Sequence, residues 1–189
     1  MSHNPAPDPL GVQRAGRLRQ LAWVVGGVIV LAVSSRIAIP MVPVPITLQT
    51  LAVTLIGALY GWRLGGLTVG VWLVAAAAGL HLLSDGASGL APFAGATAGY
   101  LFAFPLAAAL VGVLTARGWN GRRPGLLLAA MLMGNGLCLA LGAAWLAARI
   151  GAAPALEAGV LPFLPGAVVK SAVGAGVVVA LHRMTMRRD

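Results

Sequence analysis

Charge is scarce in this chain. Asp, Glu, Lys and Arg make up 9% of its 189 residues, against roughly 25% in ordinary soluble domains. A water-soluble fold of this length could not cover its surface with so few. Acids are the scarcest, with four Asp and Glu against thirteen Lys and Arg, and no paired carboxylates stand out for acid–base work. The single cysteine, Cys138, has no partner for an intrachain disulfide and belongs to no CxxC metal motif. No nucleophile–base pair stands out, and a Walker-type phosphate loop is missing, so nothing points to an enzyme and ATP hydrolysis of that kind is excluded.

Apolar residues fill the space that charge leaves. They form 59% of the chain, in runs near the roughly 20 residues a bilayer-spanning helix needs. Six apolar segments are expected, near Leu21–Ile39, Thr47–Tyr60, Leu64–Leu83, Ala96–Ala116, Gly125–Ala148 and Pro165–Arg183. The chain thus reads as an all-α integral membrane protein with six transmembrane helices over residues 21–183. A flexible basic tail covers 1–20, with Pro5, Pro7 and Pro9 before Arg14, Arg17 and Arg19, and a second basic tail covers 184–189. The first segment lacks a convincing small-residue cleavage site and reads as a retained helix. The second is short for a span at about 1.5 Å per residue, so tilt or shielding by neighbouring helices is expected. Small residues, among them 26 glycines, allow close helix approach in lipid.

A net charge of +9 raises nucleic acid as a partner, but the arginines sit at segment ends rather than in a stripe. Membrane topology and anionic lipid headgroups account for them. With six spans, one side holds Arg14, Arg17, Arg19, Arg63, Arg117, Arg122, Arg123, Arg183, Arg187 and Arg188, whereas the other holds Arg36 and Arg149 with Asp85 and Glu157. The positive-inside rule then puts both termini in the cytoplasm, in a multi-pass protein of the bacterial plasma membrane.

Polar residues gather at the outward ends of four segments: Arg36, then Thr47, Gln49 and Thr50, then Thr97 and Tyr100, then Lys170. All fall within roughly the outer third of the bilayer, the pattern of an apolar pocket with a few convergent polar groups. Lys170 is costly inside a membrane; it either anchors an anionic group such as a carboxylate, snorkels to the outer headgroups, or pairs with Glu157. Arg36 is either a second carboxylate contact through its donor fork or an interfacial arginine. Gln49 and Thr47 suit a cyclic urea or amide, or Thr47 caps the second helix. Tyr100 offers a ring face and a hydroxyl, or belongs to an interfacial aromatic belt. Asn135 reads as an interhelical hydrogen bond or a substrate contact. Pro40, Pro43 and Pro45 stiffen the loop between the first two segments, and the Ser84–Gly95 connection is either a lid or a plain loop. His81 and Asp85 alone make a poor metal site.

Three separated blocks carry a family resemblance. Residues 36–50, RIAIPMVPVPITLQT, follow the pattern R-I-x-I-P-x-x-P-V-P-I-T-x-Q-T. Residues 93–101, FAGATAGYL, match a G-P-T-x-G-Y-L stretch with Ala96 in place of proline. Residues 161–170, LPFLPGAVVK, match L-P-F-x-P-G-D-x-x-K with Ala167 in place of the acid. The chain resembles the BioY family, the biotin-binding S components of energy-coupling factor (ECF) vitamin transporters. The resemblance implies an S-component-like six-helix bundle that captures biotin from outside. It implies as partners a membrane-coupling T protein and two ATP-binding-cassette ATPases, with biotin as transported substrate and no cofactor. S components often touch the coupling protein through small residues on the first helix, a spacing Ala22 and Gly26 offer. With Ala167 removing a carboxylate, Asp85 is a candidate replacement. The substrate-binding set expected on these grounds is Arg36, Thr47, Gln49, Asp85, Thr97, Tyr100 and Lys170. A different vitamin or a biotin precursor, or a non-transport membrane scaffold, are the competing readings.

Overall fold

The computed structural model describes residues 10–12 and 15–186. Arg14, Arg187, Arg188 and the three tail prolines lie outside the described residues. Among the described residues, five helices are long and apolar enough to cross a membrane. Backbone groups in lipid must be satisfied within their own segment, which is why apolar runs of this length fold as helices. They are α1 (Arg17–Arg36), α2 (Gln49–Ala77), α4 (Ala98–Ala116), α5 (Pro124–Ile150) and α7 (Phe163–Met186). Two short helices, α3 (Ala91–Ala94) and α6 (Ala152–Gly159), precede α4 and α7. The α6 helix lies between the fifth and sixth expected segments, where the sequence analysis named no element. Pro124 opens α5 where its missing N–H has no intrahelical role. Gly151 closes it with φ 92°.

The five-helix count differs from the six expected segments at one residue. Inside α2, Gly61 has φ 76° and ψ 173°, a conformation for which glycine is the default residue. A Cβ added at Gly65 would lie 3.1 Å from Gly57 Cα. In a straight helix those positions are about 12 Å apart, so the chain reverses at Gly61 and α2 is a hairpin of two arms. The first arm, residues 49–60, is only about 18 Å long, and none of its residues is exposed. It runs through the middle of the bundle, where lipid scarcely reaches. That explains how so short a segment is tolerated.

The helix α4 packs into this hairpin. A Cβ added at Gly57 would run into the Ala108 carbonyl, and one added at Gly112 would meet the Trp62 amide nitrogen. Trp72 of the second arm stacks on Phe104 at 6.0 Å. Because backbone stands where a side chain would go, relief requires the helices to part. Gly57→Leu is expected to lower the melting temperature of detergent-purified protein sharply, by overpacking that typically costs about 1–3 kcal/mol. An unchanged unfolding curve would refute this close seam.

The helix α1 lies at the periphery, with Leu21, Val25, Ile29 and Val33 exposed, as a lipid-facing surface requires. Gly27 admits Thr68 and Tyr60 of α2, and Trp23 meets Tyr60 edge-on at 5.8 Å. Val12, ahead of α1, is fully buried in the main apolar cluster. The α1 helix begins at Arg17 rather than near Leu21.

The bundle has two unlike ends. Gln20 of α1 lines one small cleft with Gly61, Trp62 and Arg63. Gly112 of α4 lies against Gly61 and Trp62, and Gly121 before α5 lies against His182 of α7. This end therefore gathers Arg63 and the arginines around the α4–α5 turn and the end of α7. The opposite end gathers Arg36, the loops beside it, and the starts of α4 and α7.

Candidate functional site

At the end opposite the arginine cluster, a two-stranded antiparallel ribbon joins α1 to α2. Strand β1 (Ala38–Ile39) pairs with β2 (Ile46–Thr47), with Ala38 opposite Thr47. Between the strands the proline-rich loop includes a cis Val42–Pro43 bond. The ribbon carries Thr47 over the start of the enclosed arm of α2, and from there a cavity of about 280 Å³ opens. Its walls come from four sources: Thr47, Gln49 and Thr50 around the start of α2; Leu83, Ser84 and Asp85 after α2; Thr97, Tyr100 and Phe104 of the α4 region; and Asn135, Cys138, Phe163, Ala167 and Lys170 of α5 and α7. A mostly apolar lining with a few convergent polar groups is the usual form of a small-molecule site.

Lys170 points inward. It is 8% exposed, and its Nζ donates to the Thr47 carbonyl at 3.0 Å. Neither snorkelling nor pairing with Glu157 describes it: among the described residues its ammonium meets no carboxylate. One carbonyl occupies one of its three N–H donors. The others face the cavity.

Two further polar atoms lack partners. Gln49 Oε1 accepts from Thr47 Oγ1 at 2.7 Å, but Gln49 Nε2 is buried with no hydrogen-bond partner, as is Thr50 Oγ1. Leaving such a group buried and unpaired costs about 1–3 kcal/mol, and both residues line the cavity, so a guest that draws these atoms into hydrogen bonds would be favoured. Thr47 also accepts from the Gln49 amide at 3.3 Å, so its capping role and its place at the cavity coexist. Asn135 Nδ2 donates to Met131 O and to Ser171 Oγ, each at 3.1 Å. The interhelical bond is present, and the same side chain lines the cavity.

Tyr100 presents its ring rather than its hydroxyl. The hydroxyl donates to the Gly159 carbonyl of α6 at 2.8 Å. The ring stacks on Phe163 with centroids 6.2 Å apart, and the bare backbone of Gly142 makes room for it. Thr97 Oγ1 donates to the Pro92 carbonyl at 3.4 Å, which leaves it a modest contact. Asp85 sits at the rim, exposed, with φ 55°.

Six of the seven expected substrate contacts therefore border one cavity: Thr47, Gln49, Asp85, Thr97, Tyr100 and Lys170. Arg36 does not border it; its guanidinium donates to the His81 carbonyl. Ala22 is exposed, and nothing lies within 4 Å of a Cβ added at Gly26, so that pair lies on an open face of α1. Sequence reasoning named Thr50 in the polar cluster without assigning it. It gave no place to Leu83, Phe104, Cys138 or Phe163, apolar residues that look alike in sequence whether they line a cavity or fill a core.

Known proteins resemble this chain in sequence and in fold. The BioY family model matches residues 6–187. The biotin transporter BioY of Rhizobium etli is 37% identical over 156 residues, covering 78% of this chain and 83% of the relative. That of Rhodobacter capsulatus is 38% identical over 154 residues, covering 71% and 79%. A crystal structure of the S-component for biotin from an ECF-type ABC transporter superposes with a TM-score of 0.74 at 27% identity, covering 88% of this chain and 92% of that one.

Proposed function

This chain belongs to the BioY family, and on that premise we propose that it is the biotin-binding membrane subunit of a vitamin uptake transporter. It is a transport component rather than an enzyme, a multi-pass protein of the cell membrane. The observation that carries the reading is an inward-facing lysine that meets no carboxylate among the described residues, in a cavity also lined by Gln49 and Thr50, each with one buried polar atom that lacks a partner there. Biotin offers complementary chemistry, with a carboxylate for the Lys170 ammonium and a urea oxygen and N–H groups for Gln49, Thr50 and Asn135. Its apolar ring system meets Tyr100, Phe104 and Phe163.

The topology proposed is six spans, with the two arms of α2 counted separately. The arginine-rich end, which carries the start of α1 and the end of α7, faces the cytoplasm and the cavity faces outward. Arg63 and Arg183 at one end against Arg36 and Arg149 at the other support this orientation. The partners proposed for delivery inward are a membrane-coupling T protein and two ATP-binding-cassette ATPases, since the sequence has no Walker-type phosphate loop of its own. The open face at Ala22 and Gly26 is the surface proposed for the T protein, and the cytoplasmic arginines meet anionic lipid headgroups.

Isothermal titration of purified protein with biotin tests the reading, and saturable binding is expected. Biotin methyl ester is expected to bind on the order of tenfold more weakly, having no carboxylate for the ammonium. Equal binding of acid and ester would refute the carboxylate assignment, and no biotin binding would refute the function. Ala167 borders the cavity where the family pattern has an acid. That supports a second reading, in which a biotin precursor such as dethiobiotin is preferred; competition between the two decides it.

A further inference from the structure

Arg36 lies outside the cavity, yet its side chain is engaged. Its guanidinium donates to the His81 carbonyl, and Nη1 lies 3.1 Å from where a Cβ at Gly86 would stand. One residue earlier, the fully buried Ser35 shares its single hydroxyl hydrogen between the Ala32 carbonyl of its own helix at 2.7 Å and the Leu82 carbonyl at 2.8 Å. Trp72 Nε1 also reaches the Leu82 carbonyl, at 3.2 Å. Side chains from α1 and α2 thus hold two consecutive carbonyls, and the residues that follow, Leu83 to Asp85, form one wall of the cavity.

Little else secures that wall. The other backbone bonds of residues 81–88 run within the segment or to Leu80, and the next outside anchor is Gly89 N–H to Ala76 O. Asp85 holds a left-handed conformation with φ 55°, which persists only where the surroundings impose it. Leu83, 2% exposed, seats the segment in the apolar cluster.

We infer that Arg36, together with Ser35, is a positioning residue that clamps the 81–88 segment over the bound molecule and sets how long that molecule stays. Its guanidinium acts through the loop backbone rather than on the ligand. The ligand part of the test rests on the biotin reading above; the loop part does not.

The variant is Arg36→Met, which keeps the stem and removes the donors, in full-length detergent-purified protein. Release of preloaded radiolabelled biotin is expected to speed up by roughly three- to tenfold, with association unchanged. Amide hydrogen exchange of residues 82–87 is expected to rise in the unliganded protein. Arg36→Lys should restore part of both effects, and Ser35→Ala should reproduce them. Unchanged loop exchange and unchanged release would overturn the clamp. So would slower association with unchanged exchange, which would make Arg36 a direct contact for an anionic guest. If wild-type protein failed to bind biotin, the proposed function would fall while the exchange measurement still decided the clamp.

Discussion

Replacing Lys170 with alanine is expected to weaken biotin binding on the order of ten- to a hundredfold, or about 1–3 kcal/mol. The ammonium sits 8% exposed at the cavity wall and has a single carbonyl as partner. Removing it takes away the charged donor for the guest's carboxylate and also frees the Thr47 carbonyl inside an apolar site. Lys170→Met separates the two roles of volume and charge, and should lose nearly as much affinity as alanine. The diagnostic comparison uses the methyl ester, against which wild type and Lys170→Ala should bind alike. Wild-type affinity in Lys170→Ala, measured by titration, would remove the central support of the functional reading.

The second large effect is expected from one added methyl group. A Cβ on Gly142 would stand 2.2 Å from two ring carbons of Tyr100. The ring has few ways to retreat, because its hydroxyl is tied to Gly159 O at 2.8 Å and Phe163 stacks on it. Gly159 is equally tight, since a Cβ there would stand 2.6 Å from that hydroxyl. In Gly142→Ala the ring must swing into the cavity or α5 must move off α4. Overpacking of this kind costs about 1–3 kcal/mol, which corresponds to a roughly ten- to hundredfold loss of affinity if it falls on the bound state. Adding Tyr100→Leu, which vacates the clash, should recover the melting temperature but not the affinity. If Gly142→Ala bound biotin normally, Tyr100 would not be a fixed wall of the site.

Much of this was legible in the sequence because bilayers impose strong constraints. Apolar runs marked the helices to within several residues, and the arginine distribution marked the two ends before any contact was known. Polar residues in such runs are conspicuous, so Thr47, Gln49, Tyr100 and Lys170 stood out individually. Their convergence on one cavity depends on how α2, α4 and α7 pack, which spacing along the chain supports only loosely. The break between Tyr60 and Leu64 was legible, but the residue that makes the reversal, Gly61, was not. Among so many glycines, nothing local separates one that reverses the chain from one that merely permits close packing. The tie from Arg36 to the His81 carbonyl was equally invisible, since an arginine at a helix end next to a polar loop serves a ligand, a headgroup or a backbone oxygen with the same donors. The backbone bond of Lys170 to Thr47, 123 positions away in sequence, is likewise a product of the tertiary fold.

The enclosed first arm of α2 has a mechanical consequence. Hydrophobic mismatch acts on surfaces that acyl chains touch, and tilts or bends the elements presenting them. Residues 49–60, which begin with Gln49 and Thr50, present little such surface, eight of the twelve being buried and none exposed. Thinning or thickening the surrounding bilayer therefore loads the helices with exposed apolar faces first, α7 with Lys170 among them, while Gln49 and Thr50 ride on a strut largely shielded from the membrane by its own neighbours.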